Sequence, residues 1–192
     1  MKIGCLLTAA GSGSRFGADK LLLPVAGQPM GVRALDVLSK APFDLRVLVT
    51  SADKGYLVEA ARERGFDVVI NPDPARGMSS SVRLGTAHIV RTGAYDGILY
   101  AVADQPNLQA ATVQKLAEAF AGAPDCIWAP EADGKRGNPV LFPAALLAEL
   151  LEVTGDKGGR QVIAAHKELL RTVAAAPEEL KDIDTKEDLG IC

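Results

Sequence analysis

Cysteine is scarce in this chain of 192 residues, and its three cysteines are poorly placed for cross-linking. Cys5, Cys126 and Cys192 are odd in number and far apart, with no CxxC spacing. That pattern argues against a disulfide framework or a zinc site and fits a reducing, cytoplasmic compartment. Long apolar runs are also missing. None approaches the roughly 20 residues of a membrane-spanning helix. The short apolar stretch after Met1-Lys2 leads straight into a glycine loop, so no secretory leader is expected. Positive charge is not in excess, since the net charge is −3. Nucleic acid and anionic membranes are therefore not expected partners. An anionic ligand would have to be held by locally placed cations and backbone N–H groups.

Repeats, low-complexity tracts and linkers are absent too. With 48% hydrophobic and 23% charged residues the composition is that of an ordered globular chain, not a disordered one. Residues 1–192 are expected to form one domain with a sizeable core.

Apolar runs alternate with helical periodicity along the first two thirds of the chain. Ile3–Ala9 reads as a buried strand, followed by a helix over 29–39 with Val32, Leu35 and Leu38 on one face. Strands are expected at Leu45–Thr50, 66–70 and 97–103, and helices at 54–64, 80–91 and 109–121. Ser51 or Asp53 should cap the second helix and Gly65 should close it. The tail predicts strands at 125–129, 140–142 and 171–174, and helices at 144–151 and 159–170. Strands alternating with helices at this spacing predict an α/β fold, a Rossmann-like three-layer sandwich with a mostly parallel sheet. Residues 134–137 read as a turn.

In such sheets the ligand binds beyond the carboxyl ends of the strands. The first of those ends carries Ala9-Ala10-Gly11-Ser12-Gly13-Ser14-Arg15-Phe16-Gly17-Ala18-Asp19-Lys20. Small side chains let phosphate oxygens approach backbone N–H groups, and Arg15 and Lys20 add positive charge. Phe16 occupies the third glycine position of a dinucleotide fingerprint, and Lys20 lacks the GK[ST] context of a Walker loop. Asp104, at the tip of the fourth strand, is a natural magnesium ligand beside a triphosphate. Its plain reading is a turn or cap with Pro106. Ser79, Ser80 and Ser81 open a helix between Arg76 and Arg83. One of them should cap it, and the others exceed what a cap needs. His88, His166 and Trp128 read as surface, surface and core.

These residues, in this order, resemble the MobA-like NTP transferases. The resemblance continues through Arg76-Gly77-Met78-Ser79-Ser80-Ser81-Val82, Ala103-Asp104-Gln105-Pro106, Gly137-Asn138-Pro139-Val140-Leu141-Phe142, Gly155-Asp156-Lys157-Gly158-Gly159-Arg160 and Asp182-Ile183-Asp184-Thr185. It implies the fold of the nucleotide-diphospho-sugar transferases and a magnesium-dependent transfer of a nucleoside monophosphate to a phosphorylated acceptor. Under it, Lys20 neutralises the α-phosphate and Arg15 holds the departing pyrophosphate. Asp104 and Asp184 bind Mg2+. Ala9, Ala10 and Gly11, with Ser12, Gly13 and Ser14, hold the nucleotide, together with Gly77, Ser80 and Ser81. Asn138, Pro139, Asp156 and Arg160 line the acceptor side.

The Ala9-Ala10-Gly11 form is similar to the molybdenum cofactor cytidylyltransferases, which implies CTP as donor, molybdopterin as acceptor and a molybdoenzyme as client. Asn138 departs from the histidine often found before Pro-Val in that branch, and Phe16 stands where methionine is common. A guanylyl or a sugar- or polyol-phosphate transferase would share the same loop. An NAD(P)-binding protein without transferase activity is the alternative of another class.

Overall fold

The computed structural model describes residues 1–11 and 19–183. Four strands form its parallel half: β1 (Ile3–Ala9), β4 (Leu45–Thr50), β5 (Asp67–Ile70) and β6 (Gly97–Val102). Two strands of two residues each, β2 (Pro24–Val25) and β3 (Gln28–Pro29), make a separate hairpin. Further along come β7 (Ile127–Ala132), β8 (Lys135–Arg136), β9 (Val140–Pro143) and β10 (Leu170–Ala174).

The main sheet runs β10-β7-β9-β6-β1-β4-β5, with β8 paired to β7. β1 is parallel to both β4 and β6, and β4 to β5, so the chain reverses its direction of travel across the sheet at β1. β9 is inserted antiparallel between β6 and β7, and β10 pairs parallel to β7. A crevice opens where the strand order reverses, beyond the carboxyl ends of β1 and β6.

Alternation along the central strands creates two cores. Cys5, Leu7, Leu48 and Leu99 face α1 (Met30–Ser39), α2 (Gly55–Glu63) and α4 (Ala110–Gly122). Leu6, Val47, Val49 and Ile98 face α3 (Met78–Thr92), α5 (Leu147–Leu150) and α6 (Arg160–Ala165). The three-layer α/β sandwich follows directly, because strands buried on both faces must be covered twice. α3 lies close on the sheet at Gly85, where any Cβ would collide with Leu6 and crowd Val49.

Two capping expectations fail. Lys54, not Ser51 or Asp53, stands at the head of α2, with no side-chain cap; Gly65 does close that segment, at φ 73°. None of the three serines caps α3, because Gly77 takes that place with φ 85°. Ser80 Oγ instead donates back to the Gly77 carbonyl at 2.8 Å. Residues 134–137 are more than a turn, since Lys135 and Arg136 pair with β7. Residues 159–170 do not stay helical. α6 stops at Ala165, and Leu170 already pairs with Ile127 as the first residue of β10.

Candidate functional site: two cavities meeting at Asp104

A cavity of about 420 Å³ occupies the crevice. Its floor is the ends of two adjacent strands: Ala9, Ala10 and Gly11 after β1, and Ala103 and Asp104 after β6. Ala9 and Ala10 are buried in that wall, so their small side chains leave the backbone open to a ligand. Lys20 enters from the turn Lys20–Leu22, and Gly77 and Ser81 close the far side at the start of α3. A second cavity of about 170 Å³ adjoins it and shares Thr8, Met78, Val102, Asp104 and Asp156. Asn138, Arg136, Lys157, Arg160 and Asp182 line it, over an apolar base that includes Tyr100 and Phe142.

Asp104 is the hinge between the two spaces. Its Oδ2 accepts from Lys20 Nζ at 2.7 Å, and Lys20 Nζ also donates to the Ile183 carbonyl at 3.0 Å. Its Oδ1 is buried with no hydrogen-bond partner among the described residues. A buried carboxylate oxygen left unmatched is costly unless a cation or donor reaches it. One carboxylate with room for phosphate oxygens and water suits Mg2+, which keeps much of its own shell. No cluster of three or more candidate metal-ligating side chains exists among the described residues.

The serine segment is organised by Asn71. That buried amide donates to Ser80 Oγ at 2.8 Å and to Ser81 Oγ at 3.0 Å, while its oxygen accepts from the Asp73 N–H at 3.0 Å. Ser80 and Ser81 are thus engaged in internal hydrogen bonds, Ser79 Oγ is buried without a partner among the described residues, and of the three only Ser81 lines the cavity. Gly77 is required on two grounds. Its φ of 85° disfavours a side chain, and a Cβ there would collide with Asp156 Oδ1.

Arg136 sits half-buried in the second cavity. Burial, and then the like charge of Arg160, hold its guanidinium below the ordinary arginine range. Among the described residues neither Arg136, Lys157 nor Arg160 has a carboxylate within ion-pair distance. Two guanidiniums and an ammonium thus line one small space together with the carboxylates of Asp104, Asp156 and Asp182, and guanidiniums suit the oxygens of a phosphate. On the other side of the loop exit, Lys54 is buried against Asp19 at 2.8 Å, and Tyr56 donates to the same carboxylate at 2.9 Å.

Of the residues expected from sequence, Ala9, Ala10, Gly11, Lys20, Gly77, Ser81, Asp104 and Asp156 share the larger cavity. Asn138 and Arg160 lie in the smaller one with Asp104 and Asp156. Ser80 and Pro139 are buried behind the walls. Ser12, Gly13, Ser14, Arg15 and Asp184 lie outside the described residues. Lys157, inside the 156–160 stretch expected on the acceptor side, also lines the smaller cavity. Sequence reasoning passed over Arg136, Asn71, Lys54 and Tyr56. Arg136 carried a usable signal, the second of two adjacent cations, directly before Gly137-Asn138-Pro139.

A crevice at the strand-order reversal, floored by small residues and flanked by a lysine–aspartate pair, defines a nucleotidyltransferase of the Rossmann-like class. The chain belongs to the MobA-like NTP transferase domain family, whose pattern matches residues 5–169. A probable molybdenum cofactor guanylyltransferase of Pyrococcus horikoshii is 26% identical, aligned over 100% of this chain and 99% of its own length. The molybdenum cofactor cytidylyltransferase of Escherichia coli is 23% identical over 97% and 93%. The nicotine blue oxidoreductase of Paenarthrobacter nicotinovorans is 28% identical over 96% and 93%.

Among solved structures, Rv0371c of Mycobacterium tuberculosis H37Rv superposes with a TM-score of 0.86 at 27% identity, covering 99% of this chain and 96% of that one. Rv0371c has also been solved in complex with manganese. A nucleotidyl transferase from Methanothermobacter gives a TM-score of 0.79 at 27% identity, over 98% and 94%.

Proposed function

We propose that this chain transfers CMP from CTP to the terminal phosphate of a molybdopterin-type acceptor and releases pyrophosphate. The observation that carries the reading is the meeting of two cavities at Asp104, one suited to a nucleotide and the other lined by Arg136 and Arg160. The relatives bearing guanylyl- and cytidylyltransferase names support the acceptor class. The choice of cytosine rests on the Ala9-Ala10-Gly11 form of the strand end. A guanylyl or a sugar- or polyol-phosphate transferase remains the alternative within the same chemistry.

In this reading the triphosphate lies along the 9–11 backbone with its α-phosphate at Lys20. The acceptor phosphate, held by Arg136 and Arg160, lies across Asp104 from it. One acceptor oxygen attacks the α-phosphorus. A new P–O bond forms, the bond from that phosphorus to the bridging oxygen breaks, and the electron pair leaves with pyrophosphate. A phosphate monoester is already anionic near neutral pH, so no general base is required. Lys20 offsets the charge that builds on the α-phosphate, and the rest is positioning. Mg2+ held by Asp104 and Asp184 would supply further charge neutralisation to the triphosphate. Arg15 would serve the β- and γ-phosphates.

The test compares CTP, GTP, ATP and UTP, each with Mg2+, by thermal shift and by pyrophosphate release with molybdopterin or a sugar phosphate. A nucleotide at about 100 times its dissociation constant stabilises the fold by about 2.7 kcal/mol. Stabilisation by CTP and turnover with molybdopterin alone would support the reading. Turnover with GTP or with a sugar phosphate instead would replace it.

The relative named as an oxidoreductase supports a second reading, an NAD(P)-binding protein. Against it, the loop 51–53, where an acidic ribose anchor would stand, does not line either cavity. Stabilisation by NADPH and by no NTP would favour that reading.

A further inference from the structure

We propose that Lys54 is a positioning residue for the proposed nucleotidyl transfer. It acts through Asp19, with Tyr56, to hold the turn that carries Lys20 to Asp104. The inference rests on the reading of Lys20 given above.

Lysine is almost never fully buried unless it is paired. Lys54 is 2% exposed, at the head of α2, and its ammonium meets Asp19 Oδ1 at 2.8 Å. Tyr56, two residues on, donates to Asp19 Oδ2 at 2.9 Å. Burial, and then the Asp19 carboxylate, push the Tyr56 phenol up, so it stays a donor across the working pH range. Asp19 Oδ1 also accepts from the Leu21 N–H at 3.1 Å, which caps the turn Lys20–Leu22. One carboxylate therefore ties the β4–α2 corner to the backbone on either side of Lys20.

Charges of alternating sign then run from the interior to the cavity: Lys54, Asp19, Lys20, Asp104. Among the described residues Lys54, Asp19 and Tyr56 line neither cavity, and their described link to the larger one runs through the Lys20–Leu22 turn. An apolar side chain would fill the Lys54 site at lower desolvation cost. What it would not do is fix the carboxylate, and with it the direction of the turn.

The experiment is a double-mutant cycle in pyrophosphate release. Lys54→Met and Asp19→Asn are each made alone and in a Lys20→Ala background. A misplacement of about 1 Å costs up to about 10²-fold in rate, so a kcat loss approaching that is expected, with NTP affinity by thermal shift little changed. In the Lys20→Ala background the same substitutions should cost less than about 2-fold, because the residue they act through is gone. Equal losses in both backgrounds, or full kcat in Lys54→Met, would overturn the proposal. Asp19→Asn keeps shape and serves if Lys54→Met does not fold.

A second arm does not depend on turnover. Crystal structures of the two variants should have Lys20 Nζ withdrawn from Asp104 Oδ2, against 2.7 Å here. Retention of that contact in both would also overturn the proposal. If the unaltered protein turns over no NTP, the reading of function fails, and the crystallographic arm alone decides the role of Lys54.

Discussion

Replacing Lys20 with alanine should move two measurements in opposite directions. Without a nucleotide, the Lys20 ammonium sits 2.7 Å from Asp104 Oδ2 and occupies one of the two oxygens a divalent cation would use. A cation binding alone must displace or tolerate it. The pair is neither open nor deep, with side-chain exposures of 19% and 23%. Its coupling should therefore fall between that of surface pairs and buried ones, about 1–2 kcal/mol after solvent screening. That corresponds to roughly 5–30-fold in an equilibrium constant. Mn2+, titrated without nucleotide and followed by its free-ion electron paramagnetic resonance signal, should bind Lys20→Ala tighter by about that factor. Turnover with NTP and acceptor should fall by about 10²–10³-fold in the same variant. Asp104→Asn should lose metal binding in either background. If Lys20→Ala binds Mn2+ no better than the unaltered protein, Lys20 does not compete for Asp104 and the argument fails.

Arg136→Ala should raise the acceptor KM by about 10–100-fold, the cost of a charged hydrogen bond, while the NTP dissociation constant stays fixed. Steady-state kinetics with each substrate varied in turn would check it. Gly85→Ala should destabilise the fold by about 1–3 kcal/mol in urea unfolding, because its methyl would overpack α3 against Leu6 and Val49. Asp36 gives a pH signature. Burial raises its carboxyl pKa, but hydrogen bonds from Arg64 and Gln28 outweigh that and leave it below the ordinary 3.8. Its stabilisation is complete above that value and is lost as pH falls through the lower folded one. Asp36→Asn should therefore flatten the acid limb of a stability–pH curve and lower stability near neutrality.

The parallel half of the sheet was legible because β1, β4 and β6 are buried on both faces over most of their length and read as largely apolar runs. The larger cavity was legible for a related reason. It is built from what directly follows two of those strands, so Ala9, Ala10, Gly11 and Asp104 follow from the strand assignment alone. The hairpin of β2 and β3 was not. Two residues per strand leave no periodicity, and its turn is made by Ala26 and Gly27 with positive φ. The early end of α6 was hidden as well, since an unpaired backbone on β7, distant in sequence, draws Leu170 into the sheet. Arg136 and Arg160 stand apart in sequence and share a cavity only because β9 returns antiparallel beside β6. Lys54 looks like an ordinary helix-surface cation until the fold closes over it. Asn71 looks like a strand stop, and nothing local reveals that it holds Ser80 and Ser81.

The last stretch of described chain doubles back to the tip of β6. Ile183 N–H donates to the Asp104 carbonyl, and the Gln105 amide reaches Asp182 Oδ1 at 2.8 Å. Glu179 accepts from the Gln109 N–H at the head of α4. Segments far apart in sequence are thus stitched together around the tip of β6. Trimming residues 179–183 would strip that corner of its braces while leaving the parallel strands intact.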